Sequence, residues 1–540
     1  MTGPADPQDI AARDDAHLRS LGITPQLNRT LGFLANFALA FSFISVTTGS
    51  FGNFGIGIGL GGPMMFWTWF VIIAGQTLVA LVFAELASHY PVAGSIYQWS
   101  KRLSNRSLGW FTGWFYFWAQ VVTVTAVACI VAFVVDGLVA TEGFLDSAAP
   151  VPGLTMFTFI ALTTLVLTTL INAFGVRLLA TLNNIGVTAE ILGMVVFALV
   201  LLFFANHQSP DVLFTTQGAE AANNGNIFAT FALGFFMSIF IVYGFDTAGS
   251  FGEETIDASR QAPRGVLSSI WLSGLVGVVF LLAVILSLQD IPAAMEEGLG
   301  GGFPIATTIN DNLTFAIGPV SMGELYLVVI LISVFVCTLA IQGAATRMMF
   351  SMGRDRNLPL GRAWGHVSPT FKTPANAAVA VGVLAAIPIL VVGPIGGITL
   401  SIAATGLIYL SYFLCNLGVA AARRKGWPHQ KAWFSLGRWG MLVNILALIY
   451  GAVMIINVAL WASPELFGDF GGEGRGYWNP LINGLFEVNG VALDGLPAWP
   501  LYETLVGVLL VLGAIYYAVA VRGRTDEVQA DAATGETVIG

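Results

Sequence analysis

The sequence predicts an all-α integral membrane protein with 12 transmembrane helices. Three observations carry this. The chain is 56% hydrophobic and only 10% charged, with a mean hydropathy of +0.79. Twelve apolar stretches along it are each long enough to cross a bilayer, which takes ~20 residues of helix. The positive charges then fall on one side. Of the 22 Lys and Arg, 21 lie in the two tails and in alternate loops, with Arg475 the exception. Lys and Arg close to a span resist translocation, so this pattern places both termini in the cytoplasm.

The spans run at 34–58, 63–86, 110–136, 155–175, 181–204, 227–252, 266–288, 323–347, 377–393, 397–421, 439–461 and 501–521. Residues 1–33 form a polar N-terminal tail expected to lack fixed structure. Residues 34–204 hold spans 1–5, 227–421 spans 6–10 and 439–521 spans 11 and 12; 522–540 form the second tail. The inner loops carry the cations, among them Arg347, Arg354, Arg423, Arg424 and Lys425. The outer segments at 137–154, 205–226, 289–320 and 462–500 are rich in Gly, Pro and acids such as Asp290 and Glu296, which sets the pI near 5.0. No cleavable signal peptide is visible, and span 1 is the expected insertion signal. Trp110, Trp114, Trp118, Trp461 and Trp499 suit interfacial belts, and most aromatic rings are expected to face lipid. The three cysteines sit in apolar spans, and no histidine clusters with Cys or acids, so no metal or disulfide framework is indicated. No phosphate loop, nucleotide fingerprint or nucleophile elbow is present, so no cofactor is expected.

Two spans are chemically unusual. Span 1 contains Ser45-Val46-Thr47-Thr48-Gly49-Ser50-Phe51-Gly52-Asn53-Phe54-Gly55, interrupted by Gly49, Gly52 and Gly55. Span 6 contains Tyr243-Gly244-Phe245-Asp246, followed by Thr247-Ala248-Gly249-Ser250-Phe251-Gly252. The last hexapeptide matches residues 47–52 at five of six positions. Gly-interrupted spans at corresponding places in two halves point to an inverted repeat with broken helices. Small residues that let helices approach closely are the competing explanation. A break frees backbone N–H and C=O groups, tolerable at membrane depth only where they line a cavity or bind something. Half-helix N-termini suit a carboxylate and C-terminal ends a cation. Two facing breaks thus recognise both ends of an amino acid.

Ordered along the chain, further motifs fit one family. They are Leu21-Gly22 with Arg29; Asn36-Phe37 with Ser45 and Gly49; Gly61-Gly62-Pro63; Ala84-Glu85-Leu86-Ala87-Ser88 with Tyr90-Pro91, Gly94 and Tyr97; and Trp110-Phe111-Thr112-Gly113-Trp114-Phe115. Asn172 with Gly175-Val176-Arg177, Glu253-Glu254-Thr255, Ala262-Pro263-Arg264-Gly265 and Arg354-Asp355 with Leu358-Pro359 follow. The chain resembles the amino acid–polyamine–organocation (APC) permeases, within them the amino acid/choline transporter group. That resemblance implies a five-plus-five inverted repeat with two peripheral helices and substrate held between broken spans 1 and 6. The family's Gly-Ser-Gly signature falls here on Thr47-Thr48-Gly49, where the Thr47 and Thr48 hydroxyls are candidates to hold a carboxylate. The span-6 break falls on Tyr243–Asp246, which sets the short repeat out of structural register with the breaks.

Ionisable groups inside spans are costly and mark function by default. Glu190 lies 13 residues after Arg177, about 20 Å along a helix. It is the candidate proton carrier, or else a neutral structural group. Asp246 either meets the substrate's ammonium or caps the second half of span 6, the cap being favoured. Glu85, Glu253 and Glu254 are expected to pair with inner-loop arginines. Gln120 and Gln342 either line the cavity or bond between helices. Tyr243 and Phe245 stand beside the break, where a ring attracts a cation, a quaternary ammonium included. The candidate substrate site is therefore Thr47, Thr48, Gly49, Ser50, Gln120, Tyr243, Gly244, Phe245 and Asp246. The expected activity is secondary transport of an amino acid or related amine by alternating access, as proton symport. Exchange, or choline or polyamine transport, is the alternative on the same fold. A membrane-embedded enzyme would need a convergent nucleophile, base or metal set, and none is found. A nutrient-sensing receptor would need a sizeable signalling domain.

Overall fold

The computed structural model describes residues 7–223, 225–314, 316–392, 396–460, 501–523, 529–530 and 537–538. Among them, ten helices are long and apolar enough to cross a membrane, and two shorter apolar helices, Ile227–Ile241 and Ala375–Val391, complete the twelve. Helix α1 (Pro7–Ser20) precedes the spans. Span 1 is two helices, α2 (Phe33–Ile44) and α3 (Val46–Gly61). Span 2 is α4 (Phe66–His89), followed by the short α5 (Ser95–Leu103). Spans 3, 4 and 5 are α6 (Arg106–Val139), α7 (Met156–Phe174) and α8 (Val176–Phe204). Span 6 is also split, into α9 (Ile227–Ile241) and the single turn α10 (Thr247–Ser250). Span 7 is α11 (Ala258–Ser287), after which α12 (Ile291–Leu299) and α13 (Pro304–Asn312) lead to span 8, α14 (Met322–Arg354). The turn α15 (Gly361–Trp364) precedes spans 9 and 10, α16 (Ala375–Val392) and α17 (Gly396–Arg424). Spans 11 and 12 are α18 (Gly440–Leu460) and α19 (Leu501–Tyr516). Trp461, Trp499, the whole 462–500 segment and most of the C-terminal tail lie outside the described residues.

Local chemistry sets several helix starts. Asn105, Thr155 and Asn226 each accept a backbone N–H of the first turn through the side chain. Ser321 and Glu324 form a reciprocal capping box at the start of α14, with bonds of 3.1 and 2.7 Å. Such caps satisfy donors that the helix itself leaves unpaired. Span 2 (α4) packs on span 7 (α11), and span 3 (α6) on span 8 (α14). Helix α8 shows how sidedness positions a charge. Its Leu178, Ile185, Leu192, Val196 and Phe203 are exposed, while Asn183, Val187, Glu190 and Met194 are buried. An exposed stripe this apolar is a lipid face. The single carboxyl group of the helix therefore points into the protein.

Two expectations are corrected here. The N-terminal tail is not without structure. α1 docks, with Leu18 and Ile23 buried against Val92 and with Arg13 to Asp257 at 2.5 Å and Arg29 to Asp15 at 2.6 Å. Burial holds the Asp14 carboxyl above the ordinary carboxylate value, outweighing the hydrogen bond it accepts from the Asp257 N–H and the nearby Arg29 and Arg13. The segment that follows span 7 folds as α12 and α13 and a short antiparallel pair, Ala316–Ile317 with Val320–Ser321. Many rings assigned to lipid are core. Trp69, Trp99, Trp110 and Tyr97 are among the largest fully buried side chains. Trp110 stacks on Trp114 and donates from Nε1 to the Asn357 carbonyl at 3.1 Å, so it packs spans rather than anchoring them.

Candidate functional site

The two broken spans touch at their breaks. In span 1 the break is the single residue Ser45, at φ +34°, ψ +84°. Left-handed backbone is strained for serine. Here its side chain offsets the strain, accepting the Thr48 N–H at 3.3 Å as the cap of α3 and reaching the Thr48 hydroxyl at 2.6 Å. The glycines do not make this break. Gly49, Gly52 and Gly55 all lie within α3, and close packing explains them: a Cβ on Gly49 would stand 2.3 Å from Ile241 Cγ1, and one on Gly55 2.7 Å from Gly298 Cα. In span 6 the helix stops at Ile241 and resumes at Thr247, with Gly244 at φ +91°. Its missing side chain makes room for Phe43, whose Cδ1 would lie 2.0 Å from a Cβ there. The matching hexapeptides begin at the second residue of α3 and at the first of α10, each just past its break. Measured from the breaks they are offset by one residue, closer to structural register than expected, because the span-1 break precedes the glycines.

Glu190 joins this junction from span 5. Its Oε1 accepts from the Ser45 hydroxyl at 2.9 Å and from the Thr47 backbone N–H at 3.2 Å. Its Oε2 is buried without a partner. A side-chain carboxyl group of the protein thus occupies the N-terminus of the second half-helix, where the sequence reading placed a substrate carboxylate. Span 8 adds Cys337, whose Sγ lies 3.7 Å from the carbonyl of Phe43, a group released by the break.

Asp246 is fully engaged by hydroxyls. Tyr116 Oη lies 2.8 Å from each of its oxygens, Tyr412 Oη donates to Oδ1 at 2.6 Å and Ser95 Oγ to Oδ2 at 2.9 Å. Tyr412 in turn accepts the Gly244 N–H at 2.8 Å. The favoured capping role is not what the structure shows. Asp246 has no side-chain cap bond, and its φ −67°, ψ −10° are already helical, whereas an N-cap residue is extended. It instead ties span 6 to spans 3 and 10 and to α5. Phe245 packs between Phe83 and Tyr412 at centroid distances of 6.0 and 5.4 Å. Tyr243 lies edge-on to Phe43 at 6.2 Å. The Gln120 amide, one turn from Tyr116, and the Tyr243 hydroxyl are buried without a formed hydrogen bond. Gln342 bonds the Thr169 hydroxyl at 2.6 Å, an interhelical contact.

Both ends of this site are covered. On the cation-rich face, Glu254 receives Arg347 at 2.9 Å through two nitrogens, and the guanidinium lies 4.1 Å from the Phe251 ring centroid. Glu253 pairs with Arg354 at 3.0 and 3.1 Å, and Glu85 pairs with Arg423. The expected carboxylate–arginine pairing is therefore present at all three positions. Asp355 takes Tyr97, Gln98 and Lys101 at 2.8–3.0 Å. Burial opposes its ionisation, but Lys101 and Arg354 outweigh burial and hold its carboxyl below the ordinary value. On the opposite face, Phe303, between α12 and α13, stacks on Phe51 at 4.5 Å with planes 3° apart. Below it is a cavity of about 40 Å³ lined by Gly52, Asn53, Ile130, Phe133, Phe303 and Ser401. That admits a few water molecules, not an amino acid.

The structure thus brings together Thr47, Thr48, Gly49, Tyr243, Gly244 and Glu190 around the paired breaks, with Asp246, Phe245 and Gln120 beside them. Ser50 is buried in α3. Sequence reasoning missed Ser95, Tyr116, Tyr412 and Phe43. One signal for Tyr116 was available: it lies four residues before Gln120, on the same helix face.

A twelve-span helical protein with two touching broken helices has the architecture of a multi-pass membrane permease. The family comparison agrees, and the chain belongs to the amino acid permease family, whose profile matches residues 31–469. It is 30% identical over 487 residues to the amino-acid permease BAT1 homolog of Oryza sativa subsp. japonica, covering 87% of this chain and 91% of that protein. It is 28% identical over 458 residues to amino-acid permease BAT1 of Arabidopsis thaliana, covering 82% and 87%. The thiamine transporter thi9 of Schizosaccharomyces pombe is 24% identical over 515 residues, covering 86% and 85%.

Proposed function

We propose that this chain is a secondary transporter that moves an amino acid or related amine by alternating access, as a proton symporter, with both termini cytoplasmic. The observation that carries the coupling is Glu190 Oε1 bonded to the Ser45 hydroxyl and the Thr47 N–H at the span-1 break. When ionised, Glu190 is held by the positive end of α3. Protonation removes that attraction and lowers the cost of the group in an apolar setting. The half-helices of span 1 are then free to shift around the substrate. The freed backbone groups near Ser45 and Gly244 recognise the substrate's carboxylate and ammonium, with Thr47, Thr48, Gly49, Ser50, Gln120 and Tyr243 shaping the pocket. The Arg347–Glu254 and Arg354–Glu253 pairs open for release on the cation-rich face.

A second substrate reading rests on Asp246. A buried carboxyl group set between two tyrosines, Tyr116 and Tyr412, is suited to an organic cation. The relative named as a thiamine transporter is consistent with that reading.

The coupling test is Glu190→Gln reconstituted in proteoliposomes. It should keep substrate exchange and lose accumulation driven by an imposed pH gradient. Full pH-driven accumulation by the variant would mean that the coupling ion is carried elsewhere or is not a proton.

A further inference from the structure

The cation-rich face divides into two kinds of positive charge. Arg347, Arg354, Arg423 and Lys101 are partly or fully buried and spent on the carboxylates that close the site. Arg260, Arg264, Arg424, Lys425, Lys431 and Arg438 are exposed. Among the described residues none of these six has an ion-pair partner. The stretches that carry them, 258–268 and 421–440, contain no Asp or Glu.

These six residues are gathered by one loop. It leaves the end of α17, crosses the end of α4, where Phe434 N donates to Ser88 Oγ at 3.0 Å, and enters α18. Ser88 in turn donates to the Ser259 carbonyl at 2.9 Å, at the start of α11. The Arg260 and Arg264 guanidinium groups lie 5.8 and 5.1 Å from the Trp433 ring centroid. Arg438 lies 5.3 Å from that of Trp439. Trp433 and Trp439 are 49% and 56% exposed. Exposed tryptophan beside unpaired cations, at the ends of spans 7, 10 and 11, is the composition of a membrane interface.

We propose that this patch binds the headgroups of anionic phospholipids in the leaflet on its own face. The charge is complementary and unspent, the position at span ends sets it at headgroup level, and juxtamembrane Lys and Arg are attracted to anionic lipid. The two tryptophans place amphipathic rings at the same depth. The loop also contacts the transport machinery, since Ser435 Oγ and Leu436 N both donate to Glu85, at 3.1 and 3.0 Å.

The test uses full-length protein, stripped of lipid in mild detergent and mixed with phosphatidylglycerol or phosphatidylcholine, with retained lipid counted by native mass spectrometry. The wild type should retain phosphatidylglycerol in preference. The Arg424→Gln/Lys425→Gln/Lys431→Gln/Arg438→Gln variant should bind it roughly tenfold or more weakly, whereas Arg177→Gln/Lys372→Gln, at exposed cations outside the patch, should bind as wild type. Raising salt to about 0.5 M should weaken wild-type retention, a reading independent of the variant's folding. Equal retention of the two lipids, wild-type retention by the fourfold variant, or insensitivity to salt would each overturn the proposal. So would complete displacement by millimolar inorganic phosphate, which would mark a free-phosphate site instead.

Discussion

Gly49 and Ile241 are in contact across the two broken spans, so closely that a Cβ on Gly49 would stand 2.3 Å from Ile241 Cγ1. Gly49 lies in the first turns of α3, and Ile241 is the last residue of α9. The second half of span 1 and the first half of span 6 therefore approach as closely as the absence of one methyl group allows.

Gly49→Val should abolish transport while leaving membrane insertion intact, because the added atoms force α3 and α9 apart at the breaks. Gly49→Ala should be severely impaired for the same reason. Adding Ile241→Ala should restore a measurable part of the activity of Gly49→Ala. Contacting residues are expected to couple by 0.5–3 kcal/mol or so in a double-mutant cycle. Uptake assays on the three variants decide it. Additive loss, without rescue, would show that Gly49 acts on the substrate directly rather than through Ile241.

Glu254→Gln should be among the most destabilising single changes on the cation-rich face. Arg347 and Glu254 side chains are 1% and 0% exposed. Removing one charge leaves the other buried and uncompensated, a loss of about 3–5 kcal/mol. A second change, Arg347→Met, should recover part of the stability but not a regulated inner closure. Thermal melting in detergent measures the first effect, and leak of substrate from proteoliposomes the second. Unchanged melting of Glu254→Gln would show that Arg347 finds its compensation in Asn172 and the Gly343 carbonyl, at 3.4 and 3.2 Å.

Phe303→Ala should loosen the cover on the opposite face. The offset-stacked pair with Phe51 contributes about 0.5–1.5 kcal/mol beyond its buried area, and Phe133 also leans on Phe303 at 5.7 Å. A cysteine placed at Asn53, in the small cavity beneath, should be modified faster by a water-soluble thiol reagent when Phe303 is alanine. Equal labelling rates in the two backgrounds would remove Phe303 from the cover.

The sequence by itself determined the class of protein, the number of spans and which two are broken. Those follow from one-dimensional signals. Spans must be ~20 apolar residues, cations collect in alternate loops, and a helix with Gly244 at its centre beside Asp246 does not stay continuous. The pairing of Glu85, Glu253 and Glu254 with arginines was equally legible, since a carboxylate near a span end needs a partner. The tertiary structure alone decided where span 1 breaks and what fills the break. Ser45 is held in its bend by Thr48 and also by Glu190, 145 residues away, which accepts its hydroxyl, and no local propensity marks a serine for left-handed backbone. The glycines read as the break became the surface that lets α3 meet α9 and α12, which depends on what packs against them. Asp246 passed from a cap to a four-element tie for the same reason. Its partners Tyr116, Tyr412 and Ser95 come from spans 3 and 10 and from α5, and only folding brings their hydroxyls to one carboxyl group.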